Sequence, residues 1–254
     1  MAFCLELKNL YVKAGNAILL KDISADFFAG KINTIIGPNG AGKTTLFNAI
    51  SGLIPIYNGK ILFNGQEIQN LPHYKRANLG IGRLFQDIKI FGQMTVFENV
   101  LSACFKREEE NPIYPFLFRR KLKESLKKYE IKVDKLLELV ELSNLKNKKA
   151  EELSFGQQKL LAIARLLAGE FKVLLLDEPT AGLNPIMRNK VLEILKILKK
   201  ENKVIILIEH DMEFVSSISD WIYFMHEGSI SHFGEPKYIL SHEEIRDIYI
   251  GASS

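Results

Sequence analysis

The spacing of apolar positions changes character along the chain. In the first thirty residues they alternate, around Leu5, Leu7 and Leu10 in one stretch and at Ile23, Ala25 and Phe27 in another, which is the period of strands. Lys31 to Ile36 is a short apolar run leading straight into Gly37, and Leu46, Phe47, Ala49 and Ile50 then take helical spacing up to Ser51-Gly52. The turn pairs Asn58-Gly59 and Asn64-Gly65 bracket Lys60 to Phe63 and predict a small antiparallel insert. From residue 94 to 165 the pattern becomes helical. Met94 to Ala103 and Leu122 to Leu142 are predicted helices, and Val133, Leu136, Leu137 and Val140 make one apolar stripe. Two prolines within Asn111 to Phe118 interrupt any helix there, and the aromatic residues of that stretch either cover the core of a helical subdomain or face a partner.

From Phe171 strands return. Val173 to Leu176 and Val204 to Ile208 are continuous apolar runs, as in parallel strands covered on both faces. A helix with Val191, Leu192, Leu195 and Leu198 on its apolar side lies between them. Pro236 opens a further helix, and Ser241-His242-Glu243-Glu244 has the form of a capping box. The pattern predicts an α/β domain over 1–254. Residues 1–90 supply an antiparallel β subdomain and the first half of a catalytic core, 91–165 an inserted α-helical subdomain, and 166–254 the second half of the core with C-terminal helices.

Composition narrows this little. A hydrophobic fraction of 47% and a charged fraction of 25% are ordinary for a globular chain. The formal charge of +4 is too small to argue for nucleic acid, and the runs at Arg119, Arg120, Lys121 and Lys123 and at Lys146, Lys148 and Lys149 read as solvated faces. Cys4 and Cys104 have neither metal-ligand spacing nor a disulfide framework, so both read as small buried side chains in a reducing compartment. No run approaches the ~20 apolar residues that cross a bilayer, and no signal peptide is evident. A role at a membrane therefore requires docking onto another chain.

Two motifs change the picture. Gly37-Pro38-Asn39-Gly40-Ala41-Gly42-Lys43-Thr44 fits G-x-x-x-x-G-K-[ST] between an apolar strand and a helix. The glycines let successive N–H groups turn inward on a phosphate, and the helix N-terminus adds its positive end. Lys43 should reach the β- and γ-phosphates, Thr44 a Mg²⁺ ion, and Thr45 the α-phosphate. Later, Asp177 and Glu178 end the run Val173 to Leu176, where ligands of open α/β sheets bind. Asp177 is placed to hold Mg²⁺ through water and Glu178 to polarise an attacking water. Phosphoryl transfer needs little beyond such positioning and charge neutralisation.

With the rest of its motifs the chain resembles the ATP-binding subunits of ABC transporters. The resemblance runs over essentially the whole chain and rests on the phosphate loop, Gln86, Leu153-Ser154-Phe155-Gly156-Gln157-Gln158 as a signature, Asp177-Glu178, Ala181-Gly182-Leu183-Asn184, and His210. It implies a RecA-like P-loop NTPase core. It implies ATP and Mg²⁺ as cofactors, Gln86 touching both Mg²⁺ and the lytic water, and His210 on the γ-phosphate. It also implies that Ser154, Gly156 and Gln157 face the nucleotide of a second ATPase subunit, identical or sister, in a head-to-tail ATP sandwich. Within the family, Gly82-Arg83-Leu84-Phe85-Gln86, Met94-Thr95-Val96, Glu98-Asn99-Val100, Ser154 to Gln158, Asn184-Pro185, Ile208 to Met212 and the tail Asp247 to Gly251 resemble the branched-chain or hydrophobic amino-acid uptake subfamily. The partners implied are integral-membrane permease subunits and, through them, a substrate-binding protein, with the chain on the cytoplasmic face of the cell membrane and no nucleic acid bound. Lipopolysaccharide-export ATPases share much of the pattern, and a soluble non-transport ABC ATPase is a further alternative. Where the family carries an aromatic residue stacking on adenine, this chain has Ala14; Tyr11 is the nearest aromatic candidate.

Overall fold

The computed structural model describes residues 4–105 and 119–251. The chain divides into two compact units: Met1–Gln86 with Phe171–Thr180 and Leu192–Ser254, and Asp87–Glu170 with Ala181–Val191.

The first unit holds two sheets. Strands β1 (Cys4–Ala14), β2 (Ala17–Phe28), β4 (Asn58–Phe63) and β5 (Gln66–Glu67) form an antiparallel sheet in the order β2-β1-β4-β5. Asn64 and Gly65 both take positive φ at the β4–β5 turn, as the turn pair predicts. The second sheet, in the order β10-β9-β3-β8-β7-β6, contains β3 (Lys31–Ile36), β6 (Ile81–Leu84), β7 (Val173–Asp177), β8 (Val204–Ile208), β9 (Trp221–His226) and β10 (Ser229–Gly234). It is parallel from β6 to β9, with β10 turned antiparallel on β9. Every residue of β7 and β8 is buried, which explains their unbroken apolar sequence.

Helix α1 (Lys43–Ser51) leaves the loop after β3 and ends on Gly52, whose left-handed backbone closes its last turn. Leu46, Phe47, Ala49 and Ile50 are buried from it into the core shared with β1, β2 and the parallel strands. The carbonyls at its C-terminal end are met by Arg76 from α2 (His73–Leu79). This buried guanidinium donates to Ala49 O at 2.6 Å, Ile50 O at 2.9 Å, Gln69 O at 2.7 Å and Leu71 O at 2.9 Å. Burial pulls its pKa down to about 10. Helices α7 (Met212–Ile218), α8 (Pro236–Ser241) and α9 (Glu243–Gly251) bring Val215, Ile239 and Ile245 into a second cluster with Ile36, Ile222 and Phe224. The capping box expected at Ser241 is not what precedes α9. Ser241 ends α8 and donates its hydroxyl to Tyr238 O at 3.1 Å, and the His242 carbonyl accepts the Arg246 N–H.

The second unit packs α3 (Val96–Ser102), α4 (Arg119–Leu139) and α5 (Phe155–Ala168) on one another. Helix α3 starts at Val96, two residues after the expected Met94, because Thr95 and Glu98 form a reciprocal capping box. Asn99 is fully buried on α3, accepts the Phe91 N–H at 2.9 Å and donates to the carbonyls of Phe91, Met94 and Thr95. The stripe on α4 is real: Val133, Leu137 and Val140 are buried and Leu136 half-buried. The helix stops short of Leu142 because Glu141 turns left-handed (φ 59°) and Leu142 N–H reaches back to Leu137 O at 2.8 Å. Cys104 is buried, with its thiol pKa raised by that burial; the Cys4 side chain and the stretch Asn111 to Phe118 lie outside the described residues. In the second basic run, Lys146 meets Asp134 at 3.3 Å and Lys149 meets Gln93 at 3.2 Å. Helix α6 spans Pro185–Lys200, with Val191, Leu195 and Leu198 buried and Leu192 half-buried. Among the described residues no helix is long and apolar enough to cross a membrane.

Candidate active site

A cleft of about 290 Å³ in the first unit is lined by Asn39, Gly40, Ala41, Gly42, Lys43, Thr44 and Thr45 together with Gln86, Glu178 and His210. Residues that lie far apart in sequence thus meet at one place. The loop is built on glycines at positive φ: Gly37 at 154°, Gly40 at 81° and Gly42 at 96°. A Cβ on Gly37 would stand 2.1 Å from the Met225 carbonyl of β9, so β9 and the loop approach each other as only glycine allows. Lys43 is buried and folds its ammonium onto the loop, donating to Gly37 O at 2.7 Å and Pro38 O at 2.9 Å. Burial lowers its pKa, while Glu178 and Asp177 pull it back up.

The end of β7 sets the two carboxylates apart. Glu178 takes a left-handed backbone (φ 48°) with its N–H on Ile208 O at 2.9 Å. Its carboxylate lies between two groups: Gln86 Nε2 at 3.2 Å from Oε2 and His210 Nε2 at 3.2 Å from Oε1. Asp177, one residue earlier, is buried and meets Arg83 Nη2 through Oδ2 at 3.1 Å. Burial raises its pKa and the guanidinium lowers it. Arg83 also donates to Asn48 Oδ1 at 2.6 Å, and its guanidinium carbon lies 4.7 Å from the Phe85 ring centroid and 5.5 Å from that of Phe47. Sequence reasoning gave Arg83 no role. The available signal was a single cation inside the apolar strand Ile81–Leu84, beside the strand that carries the acids. Glu209, next to His210, is likewise buried and accepts from Thr180 N at 3.0 Å and Thr180 Oγ1 at 2.7 Å, which ties the chain after Glu178 to the end of β8.

Tyr11 sits elsewhere, half-buried in β1 opposite Asn58 and not among the residues lining the cleft. Ser154, Gly156 and Gln157 belong to the second unit. Ser154 is the N-cap of α5: its hydroxyl accepts the Gln157 N–H at 3.4 Å, and Gln157 Oε1 accepts the Ser154 N–H at 3.0 Å. Gly156 lies against Met187; an added Cβ would stand 2.2 Å from Met187 Sδ, so that side chain would have to move. Asn184 caps the next helix by accepting the Met187 N–H at 2.9 Å.

The cleft suits a nucleotide with a hard divalent cation. The glycine loop leaves open space beside Gly40, where an added Cβ would meet nothing within 4 Å. Oxygens of Thr44 and Gln86 line the cleft and are donors of the kind Mg²⁺ prefers, while the Asp177 carboxylate lies buried behind Glu178 with Oδ2 on Arg83. The family model described as "ABC transporter" matches residues 20–181, more than half of the chain. The chain belongs to the ABC transporter family. It is an ATP-binding and ATP-hydrolysing subunit, with a RecA-like P-loop core, an antiparallel sheet and a helical subdomain. The high-affinity branched-chain amino acid transport ATP-binding protein BraF of Pseudomonas aeruginosa is 35% identical over 97% of both chains. A probable branched-chain amino acid transport ATP-binding protein, LivG, of Archaeoglobus fulgidus is 38% identical over 88% of this chain and 86% of its own. The lipopolysaccharide export ATP-binding protein LptB of Haemophilus influenzae is 31% identical over 97% of both. A nucleotide-free ATP-binding cassette from an ABC transporter superposes with a TM-score of 0.83 at 32% identity, over 98% of this chain and 99% of that one. An ABC cassette solved in its ADP conformation gives 0.82 at 33%, over 99% and 100%.

Proposed function

We propose that this ABC subunit powers the import of branched-chain or other hydrophobic amino acids. In this reading it works at the cytoplasmic face of a membrane, on permease subunits that a substrate-binding protein serves. The observation that supports hydrolysis as its chemistry is Glu178, held between Gln86 and His210 at the mouth of the phosphate loop. Glu178 draws a proton from the attacking water, Gln86 orients that water, and His210 donates to the γ-phosphate. Lys43 and the loop amides hold the β- and γ-phosphates, and Thr45 the α-phosphate. Thr44, Asp177 and Gln86 would hold Mg²⁺, which neutralises charge on the phosphate oxygens when bound. Ser154, Gly156 and Gln157, at the N-terminus of α5, serve the nucleotide of a second ATPase subunit, so two chains complete two sites. The solute assignment rests on the likeness to BraF and LivG over nearly the full chain. The permease docks at the segment containing Ile88 and Ile90, which begins the second unit.

The likeness to LptB supports lipopolysaccharide export as a second reading. Purification of the chain with its membrane partners, followed by ATP-driven uptake of labelled leucine in proteoliposomes, separates the two. Leucine uptake that stops without ATP is expected. Partners that move a glycolipid and no amino acid would overturn the import reading.

A further inference from the structure

Away from the phosphate cleft, His232 on β10, His242 at the junction of α8 and α9, and Glu244 in the first turn of α9 converge. One ligand atom from each lies within 4.8 Å of the other two. The geometry points to a transition-metal site, of Zn²⁺ type, that fastens the C-terminal helix α9 to the edge strand of the parallel sheet.

The donor set is two imidazoles and one carboxylate. That chemistry suits Zn²⁺ and its neighbours and not Mg²⁺, which takes oxygen. His232 Nε2 is 3.6 Å from Glu244 Oε2. Two donors on one tetrahedral zinc lie roughly 3.4 Å apart, given Zn–N and Zn–O bonds of about 2.0–2.2 Å. The other nitrogen of His232, Nδ1, is 3.2 Å from Ser231 Oγ. A partner on the far nitrogen is the usual way a ligating imidazole is oriented. The ring of His242 lies 4.4 Å from that of His232, centroid to centroid. Its Nδ1 is buried and has no hydrogen-bond partner, which leaves a lone pair or an N–H uncompensated unless something binds there. The buried ring of Phe224, 6.4 Å from His232, walls one side with apolar surface. Three protein ligands leave the fourth position to water. Helix α9 is held by Ile245, which packs in the small cluster with Ile239, Ile222 and Phe224. A metal here adds stability that depends on its concentration.

The test uses the full chain, stripped with chelator and titrated with Zn²⁺ by calorimetry, with thermal unfolding followed in parallel. Because His210 and Glu178 in the phosphate cleft can also take zinc, His210→Ala is titrated as a reference. Expected is one Zn²⁺ per chain that survives in His210→Ala and raises the melting temperature. In His232→Ala and in His242→Ala its affinity falls by more than the about 10–100-fold that loss of an outer-shell partner costs. Glu244→Gln weakens it less. ATP binding by the His232 and His242 variants reports that they fold. Equal zinc affinity and equal thermal response in the parent and in the His232→Ala/His242→Ala double variant would overturn the site. So would the absence of zinc binding in His210→Ala, or a loss of stability in the double variant with no response to zinc in the parent.

Discussion

Arg83 Nη2 lies 3.1 Å from Asp177 Oδ2, with both side chains almost out of solvent. A buried carboxylate left without its cation is costly, whereas losing both charges is much less so. Arg83→Met should therefore lower the unfolding free energy by about 3–5 kcal/mol. Arg83→Met/Asp177→Asn should recover a large part of it. Urea unfolding of the parent, both single variants and the double variant measures this coupling. Additive losses would show that the pair contributes nothing as a pair.

Glu178→Gln keeps the side-chain volume and removes the base between Gln86 and His210. Turnover should fall by about 10²–10⁴-fold. Nucleotide affinity, measured with a fluorescent ATP analogue, should stay as in the parent. Hydrolysis at the parent rate would remove Glu178 from the mechanism.

Gly37 and Gly40 carry different constraints. An added Cβ at Gly40 meets open space at φ 81°, so Gly40→Ala bears only backbone strain, about 1–2 kcal/mol. At Gly37 the same atom would stand 2.1 Å from the Met225 carbonyl, a backbone atom that moves only with β9. Gly37→Ala should be the more destabilising of the two and should also weaken ATP binding. Thermal unfolding ranks them.

Asn99 holds the segment Phe91 to Thr95 onto α3 through four hydrogen bonds to the main chain. Asn99→Ala strands those buried groups, at roughly 1–3 kcal/mol. Hydrogen exchange gives the specific readout: the Phe91 amide, whose acceptor is the Asn99 side chain, should lose protection while the amides of β7 and β8 keep theirs.

Tyr223 donates to Asp26 O at 2.7 Å, and its burial raises its pKa from 10.0 to about 12. The folded chain holds this proton more tightly than the unfolded one. The associated stability is fully present below pH 10 and is lost as pH rises through about 12. Tyr223→Phe cannot ionise, so its stability should fall less steeply than that of the parent between those pH values. Urea midpoints measured across that alkaline range check the slope; parallel curves would refute it.

Much of the fold is legible in the sequence because its rules are local. An unbroken apolar run marks a strand covered on both sides, and β7 and β8 are such strands. The stripe at Val133, Leu137 and Val140 marks one covered face of α4. The phosphate loop reads directly because glycine, lysine and threonine stand at fixed spacing between a strand and a helix. Competing local signals defeat the boundaries. Thr95 displaces the start of α3, and Ser241 resembles a cap yet closes the helix before it. The pairing of Arg83 with Asp177 is not legible, because it depends on β6 lying next to β7, and the two residues stand 94 positions apart in the chain. Nor does spacing bring His232 beside Glu244, which depends on how α8 packs on β10 and how α9 packs on α8.

The arginine at the foot of α1 leaves an asymmetry in what mutation can do. All four of its acceptors, on Ala49, Ile50, Gln69 and Leu71, are main-chain oxygens. The core packing of Ala49 and Ile50 constrains their side chains, but the oxygens they and the two others offer Arg76 are the same in every residue type. These four hydrogen bonds are thus indifferent to the identity of the residues that accept them and depend on the one residue that donates them.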